Sequence, residues 1–419
     1  MSAPAIALDT ARLLSQLHEL GTVGQEPTGG GRTRMAFSDA DRAGRDLLCR
    51  WIHELGLEVR VDQIGNVFGV LPGGPLGAEP LPLMMGSHID TVRHAGALDG
   101  CYGVLAGLAV LRAWREAGVR PARPLVVAAF SNEEGVRYQP DMMGSLVYAG
   151  GLDVQVALDT LGTDGTRLGD ELARIGYAGP MAPGSLVPHA YLELHIEQGP
   201  VLEAAGQRIG VVDRLQGISW QRITIEGVAN HAGTTPTRLR HDAGYAAAAC
   251  VAFLREQVVA AAPDSTLATV GSLRLEPDLI NVIPRRATFT VDLRDPDEAR
   301  LQTAEQALTH FLERLAECEG VHVQSERLAR FAPVVFDDAL ARRIELAAGR
   351  RGLSHRRMSS GAGHDAQMIA RIAPSAMIFV PSRGGISHNP REHTDDEQLI
   401  EGAQVLLDVV QDCLASPGP

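Results

Sequence analysis

The chain has 419 residues, 38 basic and 51 acidic, and every one of the 38 bases is arginine. The absence of lysine excludes Schiff-base, phosphate-loop and Ser-Lys nucleophile chemistries, because each needs an amine. The net charge of -13 disfavours nucleic acid and favours a small-molecule partner, since an acidic surface repels phosphate backbones.

The length exceeds what one hydrophobic core usually supports, so we expect two domains. The five cysteines are odd in number and form no CxxC pair, which indicates free thiols in a reducing compartment. The first 20 residues include Asp9 and Glu19 and lack a signal-peptide core, and no later run approaches membrane-spanning length. These features predict a cytoplasmic protein without a membrane partner.

The first half of the chain has the pattern of an α/β domain. Ser38 is expected to cap a helix that ends at Gly56. Short apolar runs then alternate with helical patterns, which is typical of a sheet covered on both faces. The predicted elements are strands at 81–86, 125–130 and 191–196 and a helix at 101–117.

The middle of the chain has a different order of predicted strands and helices. The predicted elements are a half-exposed strand at 218–226, an Ala-rich helix at 241–261, strands at 267–275 and 287–294, a helix at 296–318 and a strand at 321–326. This β-α-β-β-α-β order is that of a ferredoxin-like unit. The α/β pattern then resumes with a helix at 338–351, a strand at 375–380 and a helix at 395–414. We therefore predict a first domain in two parts, 1–215 and 330–419, interrupted by an inserted domain at 216–329.

Four of the 14 histidines are candidates for metal binding or catalysis, at positions 88, 195, 231 and 388. His88 ends a predicted strand in GSHIDTV (86–92), and the two-residue step to Asp90 puts both side chains on one side of an extended chain. A carboxylate in that position can hold one ring nitrogen while the other binds a metal. Asp99 follows in LDG (98–100), where it could instead cap the next helix.

Two adjacent acids, Glu133 and Glu134, follow the apolar strand 125–130, where open α/β sheets place their ligands. One could bind a metal while its neighbour serves as a general base. His195 lies in an alternating strand, where a hydrogen-bonded core histidine is the alternative, and His388 lies in a loop after strand 375–380. Three histidines with Asp99 and Glu134 would supply two borderline divalent ions, one carboxylate bridging them. Since HExxH, GxSxG and GxGxxG are absent, the residues favour metal-assisted hydrolysis.

Six motifs in this order resemble the amidase/hydantoinase/carbamoylase family, part of the larger group of di-metal aminoacylases and carboxypeptidases. They are GSHIDTV (86–92), LDG (98–100), NEEG (132–135), ELHIEQG (193–199), NHAG (230–233) and SHNP (387–390). The fourth is the most specific, because related peptidases usually have a carboxylate where His195 stands. The resemblance covers nearly the whole chain. It implies an α/β, di-metal aminopeptidase-like catalytic domain with an inserted ferredoxin-like α+β lid and dimerisation domain.

The resemblance also implies the metal ligands. His88 and His195 would bind one ion, Glu134 and His388 the other, and Asp99 would bridge them. The two ions would be divalent, with zinc preferred to manganese, cobalt or nickel. Asp90 would orient His88, and Glu133 would be the general base.

The substrate contacts implied by the resemblance come from both domains. His231 of the lid would polarise the scissile carbonyl, with Asn281 and Arg294 holding the substrate carboxylate, while Gln198 and the turn GAGHD (361–365), through Gly363, would line the pocket. A planar guanidinium suits bidentate carboxylate recognition. Alternatively, Arg294 could be a surface arginine paired with Asp292 or Asp295. His231 could instead be a loop histidine that caps a turn beside Gly233.

The expected function is hydrolysis of the ureido group of N-carbamoyl-L-amino acids by a homodimer formed through the lid, with a small ureido acid as the partner. The runner-up is an allantoate or ureidoglycolate-type amidohydrolase, which the loop 91–96 favours slightly. An aminoacylase or dipeptidase is disfavoured by His195. A metal-stabilised binding protein without catalysis is disfavoured by an intact Glu133 with all five ligand positions.

Overall fold

The computed structural model describes residues 6–27, 29–75, 80–263 and 265–415. The chain divides into two compact units, one of residues 1–213 with 336–419 and the other of residues 214–335. The predicted insertion was 216–329. The second unit extends further because its last long strand pairs as far as Phe331.

The first part of unit 1 alternates strands with helices. Its elements are α1 (Thr10–Thr22), α2 (Asp39–Glu54), β1 (Glu58–Val61), β2 (Val67–Leu71), β3 (Leu83–His88), α3 (Cys101–Glu116), β4 (Leu125–Phe130), α4 (Met143–Tyr148), α5 (Val154–Leu158), α6 (Leu168–Ile175), β5 (Ala190–Ile196), α7 (Val201–Ala205) and β6 (Ile209–Leu215). Ser38 caps α2 as predicted, because its hydroxyl accepts a hydrogen bond from Asp41 N at 3.2 Å. The sequence patterns missed α1, the four short helices α4 to α7, and the strands β1, β2 and β6.

Unit 2 is a four-stranded antiparallel sheet with helices. Its elements are β7 (Gly217–Glu226), α8 (Ala243–Phe253) continued by a π-helical turn (Leu254–Val259), β8 (Leu267–Glu276), β9 (Arg286–Asp295), α9 (Glu298–Glu319), β10 (His322–Phe331) and β11 (Val334–Val335). The sheet order is β10-β7-β9-β8. This is the β-α-β-β-α-β unit expected from the sequence. Its core packs apolar side chains of both long helices on one face of the sheet.

The chain returns to unit 1 with α10 (Asp338–Arg350), β12 (His355–Ser360), α11 (Asp365–Ile369), β13 (Ser375–Val380) and α12 (Asp396–Ala415). The mixed sheet has the order β1-β2-β4-β3-β5-β13-β6-β11, with β12 also paired to β6. The neighbours β4, β3, β5 and β13 are parallel. Their carboxyl ends therefore meet at one edge, and their residues are buried throughout.

All five cysteines are free. Within the described ranges, no helix combines the length and the apolarity that a membrane crossing requires.

The fully buried Arg45 links helix α2 to the end of strand β4. Arg45 donates from Nε to Asp41 at 2.8 Å, from Nη1 to the carbonyl oxygen of Gly65, and from Nη2 to Ser131 Oγ at 3.1 Å. Since Ser131 directly follows β4, this arginine fixes the start of the loop that carries Glu133 and Glu134.

We predict that Arg45→Met lowers the free energy of unfolding by about 3–5 kcal/mol, because it leaves the Asp41 carboxylate buried without its ionic partner. The matched control is Arg342→Met, whose partner Asp338 lies 2.8 Å away at the surface and whose loss should cost less than about 1 kcal/mol. Urea unfolding followed by circular dichroism measures both. Equal losses for the two variants would contradict the prediction.

Candidate active site

The parallel strands bring the candidate residues to one edge of the sheet. His88 is the last residue of β3 and lies opposite Phe130, the last of β4, so Glu133 and Glu134 follow close beside it. His195 is the next-to-last residue of β5 and lies opposite Phe379 of β13. The loop after β13 carries His388, and Asp99 lies just before α3.

The Asp99 carboxylate lies at the centre of this cluster. Its Oδ1 is 3.2 Å from His195 Nε2 and 3.7 Å from His88 Nε2, while its Oδ2 is 3.0 Å from His388 Nε2. His388 Nε2 also lies 3.4 Å from Glu134 Oε2. The five predicted ligands therefore form two groups that share Asp99, His88–Asp99–His195 and Asp99–Glu134–His388.

The geometry of these groups fits divalent cations. Ligands about 2.0–2.2 Å from a tetrahedral ion lie roughly 3.3–3.6 Å from one another, close to the separations between the donor atoms. His88 Nδ1 is 3.0 Å from the carbonyl oxygen of Asp90, and His195 Nδ1 is 2.8 Å from that of Ile196. These carbonyls fix the tautomer with the proton on Nδ1, so both Nε2 lone pairs face the cluster. Imidazole and carboxylate donors without a thiolate suit zinc, manganese, cobalt or nickel.

Asp90 contacts His88 differently from the prediction. Its carboxylate lies 3.8 Å from His88 Nδ1, too far for a hydrogen bond, and the backbone oxygen makes that contact instead. The carboxylate accepts the backbone N–H groups of Glu133 at 3.2 Å and Glu134 at 3.3 Å. Asp90 therefore orients the Glu133–Glu134 backbone as well as the imidazole.

The electrostatics of the cluster follow from burial among like charges. Burial raises the pKa of Glu133 well above its ordinary value, with Asp365 and Glu134 adding to the effect. Burial and the neighbouring Asp99 raise the pKa of Glu134 to about 8. The hydrogen bond to Asp99 raises the pKa of His388 to about 9. Protons thus take up part of the negative charge that divalent cations would neutralise, and cation binding must release them.

Two buried acids that sequence reasoning did not select support the cluster. Glu392 accepts Leu98 N at 2.8 Å, Asp99 N at 3.3 Å and Ser387 Oγ at 2.8 Å. It thereby joins the loop of the bridging carboxylate to the loop of His388. The sequence indicates this role only weakly, because Glu392 is simply an acidic residue four positions after His388.

Glu193 is the second supporting acid. It accepts Ser87 Oγ at 2.7 Å and Ala366 N at 2.8 Å, and so links β3, β5 and α11. Its spacing of two residues from His195 in an alternating strand was the available signal, since both side chains point to one face.

A cavity of about 160 Å³ opens on the cluster. Besides predicted ligands and Glu133, its lining includes Gln198, Gly363 and Asp141. Gln198 Nε2 donates to Asp99 Oδ2 at 2.9 Å, so Gln198 contacts the bridging carboxylate directly. The structure thus places the predicted substrate residues of unit 1 at the cavity.

The other predicted substrate residues belong to unit 2. His231 is exposed and forms a β-bridge with Val282, and Ala232 N donates to the carbonyl oxygen of Asn281 at 3.0 Å. The predicted residues His231 and Asn281 therefore lie on neighbouring segments. The Arg294 guanidinium binds Asp292, with Nη2 2.9 Å from its carboxylate, which is the surface pairing considered as the alternative.

Comparison with known proteins agrees with this geometry. The Peptidase family M20/M25/M40 matches residues 84–412. An N-carbamoyl-L-amino-acid amidohydrolase of Rhizobium meliloti is 38% identical over 95% of each chain. The allantoate amidohydrolase of Bacillus subtilis is 34% identical over 91% of this chain and 92% of that protein. A crystal structure of a hydantoinase/carbamoylase-family amidase from Burkholderia multivorans has a TM-score of 0.94 and 42% identity, covering 99% of this chain and all of that one.

The chain belongs to the hydantoinase/carbamoylase family of amidases. The resemblance and the fold class predicted from the motifs are thereby confirmed. As a member of this family, the protein is a hydrolase of linear amides. Its buried His, Asp and Glu side chains are the candidate metal ligands.

We predict that Glu392→Ala weakens zinc binding to the metal-stripped amidase about 10- to 100-fold, as expected when a group that orients a ligand is lost. The matched control is Glu397→Ala, which removes an exposed carboxylate of α12 and should leave the affinity unchanged. Competition titration with a chelating dye measures the affinity, and circular dichroism checks the fold. An unchanged affinity in folded Glu392→Ala would exclude the supporting role.

Proposed function

We propose that this carbamoylase-family amidase hydrolyses the ureido group of N-carbamoyl-L-amino acids to the amino acid, carbon dioxide and ammonia. The observation that carries the proposal is Glu133, a buried carboxyl group that stands beside the ligand cluster, 3.4 Å from His88 Nε2, yet belongs to neither group of ligands. The Rhizobium meliloti relative supports the choice of substrate. The Bacillus subtilis relative supports allantoate as the second candidate, since allantoate also presents a ureido group near a carboxylate.

The ureido carbonyl is a poor electrophile, because two nitrogens donate electron density into it. In the proposed mechanism, His88, Asp99 and His195 would hold one divalent cation, and Asp99, Glu134 and His388 a second. When bound, the cations supply Lewis acidity that lowers the pKa of water toward about 7.

Glu133 performs the proton transfers in this proposal. It takes a proton from the attacking water and delivers it to the departing amino nitrogen as the bond between that nitrogen and the carbonyl carbon breaks. A carboxylate that is not itself a metal ligand can accept a proton in one step and donate it in the next, as a general acid-base group must. The products are the free amino acid and carbamate, which decomposes to carbon dioxide and ammonia.

The remaining roles rest on the family resemblance. His231 would stabilise the oxyanion, Asn281 and Arg294 would hold the substrate carboxylate, and the lid would form the homodimer. For Arg294, binding a substrate carboxylate requires exchange of its present partner Asp292. Gln198 would position the substrate from unit 1, where its amide already contacts Asp99.

We predict that Glu133→Gln keeps the metal content of the wild type but lowers kcat at least about a hundredfold, because the amide cannot transfer the proton. Ammonia release is measured on N-carbamoyl-L-amino acids, allantoate, ureidoglycolate and N-acetyl amino acids after metal is restored to stripped protein. Glu317→Gln, on α9 of unit 2, is the control with the same chemical change. Near-normal turnover in Glu133→Gln would exclude Glu133 as the base, and wild-type protein inactive on every ureido acid would exclude the proposed function.

A further inference from the structure

Asp141 is a carboxylate on the cavity wall that the proposed mechanism does not use. Its side chain is exposed to the cavity lined by His88, Asp99 and Glu133. It belongs to none of the groups of potential metal ligands found among the described residues. No other residue in the described part of the chain donates a hydrogen bond to its carboxylate or forms an ion pair with it. It is therefore an acceptor available to a ligand.

The backbone holds Asp141 beside the proposed base. Met142 N donates to the carbonyl oxygen of Glu133 at 2.7 Å, and Met143 N donates to that of Asn132 at 3.2 Å. On the other side, the Asn132 side-chain amide donates to the carbonyl oxygen of Pro140 at 3.3 Å. The segment that carries Asp141 is thus fixed against the segment that carries Glu133.

The turn 361–365 contributes Ala362, Gly363 and His364 to the lining of the same cavity. The turn 361–365 packs against the same segment, and a Cβ added to Gly363 would lie 2.9 Å from Met142 Cε. Glu133 and Asp141 line the same cavity of about 160 Å³, so a small substrate that binds at Glu133 has its substituents in the cavity that Asp141 also lines. A substituent that reaches Asp141 must suit a hydrogen-bond acceptor.

An ionised carboxylate only accepts hydrogen bonds. The carboxylate and the carbonyl oxygen of a ureido acid would both be repelled at this position, whereas its terminal NH₂ offers two donors. An N-acetyl amino acid has a methyl group of nearly the same shape in place of that NH₂. Bound there, the methyl group would displace water from Asp141 without providing a partner, and a site built to hydrogen-bond one group discriminates strongly against an analogue that lacks it.

We propose that Asp141 is a specificity-determining residue that accepts a hydrogen bond from the terminal NH₂ of the ureido group and so selects ureido acids over N-acyl amino acids. This inference rests on the proposed function and adds the reason for its selectivity. It applies equally to N-carbamoyl amino acids and to allantoate, which share the ureido NH₂.

The test compares two substrates that differ only in this group, N-carbamoyl-L-alanine and N-acetyl-L-alanine, or the same pair with the side chain that the wild type cleaves fastest. In Asp141→Ala, kcat/KM should fall about 10- to 100-fold for the carbamoyl substrate, the loss expected for one hydrogen bond to a charged group, and less than about threefold for the acetyl substrate. Asp141→Asn keeps one acceptor oxygen, so its kcat/KM for the carbamoyl substrate should lie between those of the wild type and Asp141→Ala. Asp170→Ala removes a surface carboxylate of α6 and should leave the ratio unchanged.

A binding measurement separates recognition from turnover. In holoenzyme carrying Glu133→Gln, calorimetry should give a lower Kd for the carbamoyl compound than for the acetyl compound, and adding Asp141→Ala should remove most of that difference. If the wild type cleaves ureido acids but Asp141→Ala and Asp141→Asn, both folded, lower activity on the two substrates equally or leave it unchanged, the role of Asp141 is overturned while the proposed function stands. A wild type inactive on every ureido acid overturns both.

Discussion

The position of one carboxylate, Asp99, is the constraint on which the site depends. Both of its oxygens face imidazole nitrogens, from His88 and His195 on one side and His388 on the other. A bridging group tolerates little displacement, because it serves two ligand sets at once. Its neighbour Gly100 has φ +64°, and a Cβ there would lie 2.4 Å from His88 Nε2. Any other residue would push the imidazole out of the cluster, so the turn before α3 and the site constrain each other.

Two buried arginines, Arg34 and Arg45, also support this centre. Buried Arg34 donates from Nε to the carbonyl oxygen of Ile89 at 2.6 Å and from Nη1 to those of Leu20 at 3.0 Å and Val23 at 2.8 Å. Arg45 does the same for the segment after β4. A guanidinium reaches several acceptors in fixed directions, whereas an ammonium on a flexible stem does not. Each arginine therefore fixes the loop that follows one strand of the sheet and carries the reactive groups.

The sequence predicted the centre better than its surroundings, for a physical reason. His88, Glu134 and His195 were found because strand ends can be located from short apolar runs and because parallel strands end at a common edge. The supporting contacts join residues that are far apart in the sequence. For example, Glu392 accepts a hydrogen bond from the N–H of Leu98, and Arg45 donates one to Ser131. No local pattern encodes such pairs. The strands β1 and β2 were missed for a different reason, since four or five residues are too few to show a period.

The composition of the cavity also bears on how the proposed ureido acid would be recognised. Among the described residues that line it, three histidines face four acids and no arginine is present. The ureido end of the proposed substrate is rich in N–H donors and would suit the acceptor oxygens of this lining, whereas the lining offers no guanidinium for the substrate carboxylate. In the proposed function the substrate carboxylate would be bound by Arg294, which is not among the residues that line this cavity. Selection of the ureido group and binding of the substrate carboxylate would then depend on different residues. A substitution that changes selection of the ureido group could therefore leave binding of the carboxylate intact, and the reverse.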